Sequence, residues 1–389
     1  MSPAPSRAPV VPTIASLSPS QQDAIRRIPA HDKIVYRAIE ASRPASIFLD
    51  PAHFGREQER VFRKFAVPVM VSALLPNGHV LANDNYGVPL VATRARDGKA
   101  RLFLNACQHK GAKLVEDNML HKQPVLVCPY HAWSYGLDGK LVGVPHQEAF
   151  LNLCKSKKNL IELPTLDAGG ILWAHLDPAA APDFGHVTDE LVADLDGLNL
   201  RGMHVYGRQT FDLRANWKLV FEPFMEGYHV QRLHAQSVGP LFADVPTVTD
   251  RIGMHFRQVS GKVDFDPERH LDPEGNIHKH VTHAYQLFPN AVVITSPYYI
   301  SVMVLAPRAA DRTIVDYVML THSPPDNPKA QKLYERSYQM VLDVFGGEDF
   351  RAAQSSHAGL ASGGLDELVY CGLEEVIPSF YDNLEACLR

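Results

Sequence analysis

Two short stretches constrain this chain more than anything else in it. "NACQHKGAK" sets Cys107 and His109 one residue apart, and "VCPYHAWSYGLDGK" sets Cys128 and His131 two residues apart, with 18 residues between the pairs. Thiolates and imidazoles bind borderline and soft transition metals, and two short pairs presented from neighbouring β turns bring four such donors together. The chemistry admits a tetrahedral zinc site, although zinc sites typically use wider gaps such as C-x2-C or H-x3-H. It also admits a [2Fe-2S] cluster with two cysteines on one iron and two histidines on the other.

The rest of the cysteine content fits a reducing setting. Five cysteines in 389 residues, an odd number spread unevenly, argue against a disulfide framework and for the cytoplasm. Cys154, Cys371 and Cys387 have no histidine or cysteine at ligand spacing and are expected to be inert buried thiols. A net charge of -5 gives no basic footprint for nucleic acid or an anionic membrane. No apolar run approaches the roughly 20 residues of a membrane helix, and "MSPAPSRAPVVPTIASLSPS" has no signal-peptide core.

Length sets a prior of two domains. Residues 1-45 read as a flexible Pro/Ser-rich arm followed by one or two surface helices. From 46 to 176, β-prone runs such as "VPLVATRAR", "ARLFLNAC" and "GGILWAHL" alternate with the turn signals "PNG", "RDGK" and "LDGK", the pattern of an antiparallel β domain. The Asp-Gly of "LDGK" places the second Cys-His pair at the tip or flank of a hairpin. From 177 to 389 strands and helices mix, so the whole is read as α+β.

In that second half, "NWKLVFEPFMEGYHVQRLH" holds Glu226 one helical turn before His229, and His229 five residues before His234. Five is a helix-face spacing only if the helix bends or widens. Two histidines among nineteen are weak evidence by themselves.

The first pair of stretches resembles the Rieske cluster motif, including Gly111, Pro129-Tyr130 and Trp133. The second resembles the mononuclear iron motif of Rieske non-heme iron oxygenases. The resemblance implies an antiparallel β Rieske domain and a helix-covered antiparallel-sheet catalytic domain of START-like form. It implies a [2Fe-2S] cluster on Cys107, His109, Cys128 and His131, and a mononuclear Fe(II) on His229, His234 and a carboxylate at the start of a late helix. In "VFGGEDFRAAQ" that carboxylate is assigned to Asp349, with Glu348 its neighbour and competitor. Glu226 is implied to link the iron site to the Rieske histidine of a neighbouring subunit. Most members have aspartate there, and a branch acting on quaternary ammonium compounds has glutamate. Pro223 and Lys110 depart from the asparagine and arginine usual at those positions.

By the same resemblance the protein is a terminal oxygenase that uses O2 to hydroxylate, dihydroxylate or oxidatively demethylate a small, aromatic or hydrophobic molecule. A quaternary ammonium substrate is the alternative. A reading of another class is an iron-sulfur electron-transfer or regulatory protein with a ligand-binding domain. The glycines of "GLASGGLDEL" lack nucleotide-binding spacing, so electrons must come from an NAD(P)H-dependent reductase, with or without a ferredoxin. A homotrimer is implied. Phe224, Met225, Phe288, Tyr298, Tyr299 and Met303 are expected around the substrate pocket.

Overall fold

The structure is a computed structural model and describes residues 13–29, 37–244, 247–266 and 269–389. Most of the expected flexible arm, and the stretch 30–36 where a second lead-in helix was expected, lie outside the described residues. Ser18 begins the first helix, Pro19–Arg26, by accepting from the Gln21 N–H while the Gln21 side chain accepts from the Ser18 N–H. It is the surface helix the sequence suggested, with Asp23 and Arg26 exposed and Ala24 and Ile25 fully buried. Polar anchors fix it to the second half of the chain. Ser18 Oγ and Arg257 each bond Asp194 at 2.5 Å, and Gln21 Nε2 donates to the Tyr285 hydroxyl at 2.6 Å. Further on, Ala41–Pro44 pairs antiparallel with Glu367–Tyr370 near the other end of the chain.

The cysteine-bearing region is built from small antiparallel sheets. One has five strands in the order Glu162–Leu163, Ala100–Leu104, Leu90–Arg94, His79–Asn83 and Leu120–Lys122, and two others have three each. Short strands with turns every few residues follow from the alternation of β-branched residues with Asn-Gly and Asp-Gly signals.

The second half is organised around one seven-stranded antiparallel sheet. Its order is His204–Leu213, Arg312–Thr321, Tyr299–Ala309, Ala291–Thr295, Val281–Leu287, His255–Gly261 and Val248–Ile252. Period-two alternation sorts its faces. In Val281–Leu287, His283, Tyr285 and Leu287 are buried against the core, whereas Thr282 and Ala284 line a cavity. Helix Pro328–Val344 supplies part of another wall, and the short turns Val230–Leu233 and Phe345–Asp349 carry or flank the site residues. No helix among the described residues is long and apolar enough to cross a membrane.

Candidate metal centres

Cys107 and Cys128 sit on two loops with one backbone frame. In the first, the Cys107 N–H donates to the Ala112 carbonyl at 2.9 Å and the Cys107 carbonyl accepts from Gly111 at 2.8 Å. In the second, Cys128 donates to Trp133 at 2.8 Å and accepts from Ala132 at 3.0 Å. The fifth residue of each loop is left-handed, Gly111 at φ 78° and Ala132 at φ 57°. One extra residue before the histidine in the second loop is absorbed without changing that frame. The second loop joins strands Val125–Val127 and Ser134–Gly136, while the Asp-Gly turn belongs to the next hairpin.

The loops bring the four donors together in two layers. Both cysteines are buried, and Tyr135 backs them: its hydroxyl accepts from the Gln108 N–H at 3.0 Å and lies 3.3 Å from Cys107 Sγ. Burial, and Cys107 alongside, push the Cys128 thiol up. His109 stacks on Trp133 with ring centres 4.8 Å apart, and lies 4.7 Å from the His131 ring. His131 is exposed, beside exposed Tyr130 and Lys110. His109 Nδ1 is buried with no hydrogen-bond partner. Two buried thiols and a buried unpaired imidazole nitrogen, with a second imidazole alongside, suit a metal cluster better than they suit a protein core.

The second centre is assembled from three helical pieces. Asn216 caps the first, accepting from the Lys218 N–H and donating to the Phe48 and Ala310 carbonyls. Trp217 Nε1 and Lys218 Nζ then bond the two oxygens of Glu57, at 2.8 and 2.6 Å, with Glu57 and Lys218 wholly inaccessible. The "NWK" run is thus an anchor. Burial opposes the Glu57 carboxylate, but Lys218, His53 and Trp217 hold its pKa below the usual value. One turn on, Glu222 accepts from Tyr381 at 2.5 Å and Tyr370 at 3.0 Å, and burial pushes it up to about 7.

His229 and His234 do not share a bent helix. They flank a single turn, Val230–Leu233, with His229 at its start and His234 at its end. Gly239 lets the following turn close on this one, since a Cβ there would lie 2.8 Å from the carbonyls of His234 and Val230. The third piece is a widened turn, Phe345–Asp349, between helices Pro328–Val344 and Phe350–Ala361. Asp349 therefore lies within a long helical path.

His229 Nε2 and His234 Nε2 lie 3.4 and 3.3 Å from the same oxygen of Asp349, and ligand atoms of all three residues are within 4.8 Å of one another. Each outer ring nitrogen is held by another carboxylate. Glu226 takes His229 Nδ1 at 2.5 Å and also accepts the His229 backbone N–H at 3.1 Å. Glu348 takes His234 Nδ1 at 2.5 Å and accepts from Ser237 at 2.8 Å. Such bonds place the proton on Nδ1 and turn the Nε2 lone pair inward. Burial opposes a charged ring, yet Asp349 and Glu226 raise His229 to about 10. Asp349 is lowered in turn, its burial outweighed by the two histidines. Its Oδ2 is buried without a partner. Two imidazoles, one buried carboxylate with a spare oxygen, and surplus negative charge fit a divalent iron.

These donors face a cavity of about 730 Å³. Phe224, Tyr298 and Tyr299 line it; Met225, Phe288 and Met303 do not, being buried in the core. Cys154 is exposed, and Cys371 and Cys387 are partly exposed, contrary to the buried thiols expected. Glu57 and the tyrosine pair on Glu222 carry no local motif. They are 160 residues away in sequence or more than 140, too far for spacing to reveal.

Two family profiles match the chain: "Rieske [2Fe-2S] domain" over residues 65–165 and "Ring hydroxylating alpha subunit (catalytic domain)" over residues 200–389. The carnitine monooxygenase oxygenase subunit of Escherichia coli (strain K12) is 26% identical over 333 residues, 82% of this chain and 84% of that protein. The anthranilate 1,2-dioxygenase large subunit of Acinetobacter baylyi is 27% identical over 199 residues, 49% of this chain and 42% of that protein. In fold, the chain is similar to the quaternary ammonium Rieske monooxygenase CntA bound to an inhibitor (TM-score 0.76, 20% identity, 94% of this chain and 98% of that one). It is also similar to naphthalene 1,2-dioxygenase from Rhodococcus sp. (TM-score 0.73, 21% identity, 89% and 94%).

Proposed function

The chain belongs to the Rieske oxygenase alpha subunits, which use O2 and electrons from a reductase on small organic molecules, and we propose how its own residues divide that work. Cys107, His109, Cys128 and His131 hold the [2Fe-2S] cluster; His229, His234 and Asp349 hold the mononuclear Fe(II). The observation that carries the assignment is the convergence of those last three side chains, within 4.8 Å, on a cavity large enough for a small organic molecule.

Iron held by His229, His234 and Asp349 would supply reductive activation of O2, and a cluster held by Cys107, His109, Cys128 and His131 would supply single electrons. The protein's contribution is positioning. Glu226 and Glu348 keep the Nδ1 protons of His229 and His234 and so fix both ring orientations. Phe224 and Phe345 make an apolar wall that limits water near the reacting atoms.

The same acid, Glu226, is proposed to meet His131 of the partner subunit in a homotrimer. The exposure of His131 supports this. Residues 46-176 and 177-389 are proposed as the electron-carrying and catalytic domains, in a cytoplasmic enzyme. Its electron donor is an NAD(P)H-dependent reductase, with or without a ferredoxin.

The substrate is a small hydrophobic molecule that is hydroxylated, dihydroxylated or demethylated. A second reading, a quaternary ammonium substrate, is favoured by Tyr298 and Tyr299 lining the same cavity as Glu226 and Asp349, since aromatic faces and acids together suit a cation. Carnitine and glycine betaine monooxygenase subunits among the relatives favour it too. The test is to supply the iron-loaded protein with a reductase and 18O2 and screen aromatic and quaternary ammonium compounds. Substrate-dependent O2 uptake with label in the product is expected. No uptake with any compound, while both iron centres are present and reducible, would overturn the reading.

A further inference from the structure

We propose that one end of the cavity is an anion subsite, where the Lys262 ammonium and the Ser260 and Thr282 hydroxyls receive a carboxylate of the substrate. This rests on the cavity being the substrate site, as proposed above.

The strand His255–Gly261 supplies the ruler. Gln258 and Ser260, two apart on one face of the strand, line the cavity, and so does Lys262, the residue after the strand's end. Gln258 marks the metal end, because its Nε2 donates at 2.9 Å to the carbonyl of Met225, the residue before Glu226. Lys262 lies four residues further on, about 13 Å along the strand. The cavity therefore runs from the metal-facing donors toward a lysine.

Three donors line that far end. Ser260 is directly opposite Thr282 on the neighbouring strand, and both line the cavity. Side chains so paired lie within about 5.5 Å at Cβ. Neither hydroxyl has a hydrogen-bond partner among the described residues. Lys262 is tied down at its backbone, where its N–H donates to the His280 carbonyl at 2.8 Å. Its ammonium donates once, to the His278 carbonyl at 2.9 Å, leaving two protons.

What Lys262 lacks is a contacting carboxylate, although Asp264 lines the same cavity and attracts the ammonium at longer range. Among the described residues no carboxylate is within ion-pair distance of Lys262. Asp264, the nearest acid in sequence, lies 3.4 Å from His280 and its side chain is 61% exposed. Asp244 pairs with Arg232. A partly buried ammonium with a neutral partner is unfavourable, and burial pushes its pKa down in spite of Asp264. An arriving carboxylate would supply the opposite charge and accept the two hydroxyl protons.

The probes are two matched pairs, 4-(trimethylammonio)butanoate with its carboxamide and benzoate with benzamide. Binding to the iron-loaded, reduced enzyme is measured by calorimetry, and O2 uptake separately. At least one acid should bind wild-type enzyme about tenfold or more tighter than its amide. Lys262→Met should remove that preference by weakening the acid alone, Lys262→Arg should keep most of it, and Ser260→Ala should reduce it by a few fold. Equal binding of acid and amide, binding of neither acid, or a preference that survives Lys262→Met would overturn the subsite. A Lys262-dependent preference without O2 uptake by any bound compound would leave the subsite standing and sink the oxygenase reading.

Discussion

The two proposed metal centres solve the same problem, converging donors on an ion, by opposite means. The Cys107/His109 and Cys128/His131 loops lie within 25 residues of sequence, share one backbone hydrogen-bond frame, and leave His131 at the surface. The His229/His234/Asp349 centre draws on residues 120 positions apart, buries His234 and Asp349 with His229 half-buried, and has a carboxylate behind each histidine. An electron relay needs an exposed edge and little else, so two turns suffice. Oxygen chemistry needs a dry, fixed set of donors, so it recruits a large part of the fold.

That contrast can be broken or sharpened by substitution. The largest effect is expected at Lys218→Met, which leaves Glu57 buried without its cation. Breaking a buried pair in this way costs about 3–5 kcal/mol, to be read from denaturant unfolding. The cluster's visible spectrum should survive at denaturant concentrations where mononuclear iron is lost, and simultaneous loss would argue against separate supports.

Next is Glu222, whose folded-state pKa of about 7 stands above the 4.5 of an ordinary glutamate. Between those values the folded protein holds more protons, so stability is full below about pH 4.5 and falls as pH rises through about 7. The loss attributable to this carboxyl is roughly 3 kcal/mol. Glu222→Gln should abolish that part of the slope; identical pH profiles for the two proteins would refute it.

A smaller effect is expected from Glu348→Gln, which removes a charge behind His234. Iron affinity at the mononuclear centre should drop about 10–100-fold in chelator competition, with the cluster spectrum unchanged. Unaltered affinity would mean that Glu348 does not orient the ring.

The smallest tests the shared loop frame. Gly111→Ala should cost roughly 1–2 kcal/mol at φ 78°, whereas Ala132→Gly should be near neutral or slightly stabilising. Equal and opposite responses are not required, but a neutral Gly111→Ala would show that the first loop is free to relax.

Much of this was legible in the sequence because it was local. The paired Cys-His loops, the turn dipeptides and β-prone runs such as "VPLVATRAR" between them carry their own geometry. The path around His229 was less so, since five residues suggested a bent helix where the chain makes one turn and stops. At Glu348 and Asp349 the obstacle was the widened turn. Spacing of 3.6 residues does not say which of two adjacent acids faces inward once a turn holds an extra residue. The pocket candidates Met225, Phe288 and Met303 went to the core: Met225 and Phe288 lie outside the strands, where alternation does not set facing, and Met303 follows Tyr299 and Ser301 along one strand but lies past the cavity lining. The Lys218–Glu57 anchor spans 161 positions and leaves no local trace.

The central claim is that one chain carries two iron centres that can be separated. Metal analysis and paramagnetic resonance of the reduced protein, compared with His229→Ala, test it directly. The expected result is about three irons per chain in the wild type and about two in the variant, with the cluster signal unchanged and turnover gone. Equal iron content in both proteins, or a cluster signal lost together with His229, would contradict it.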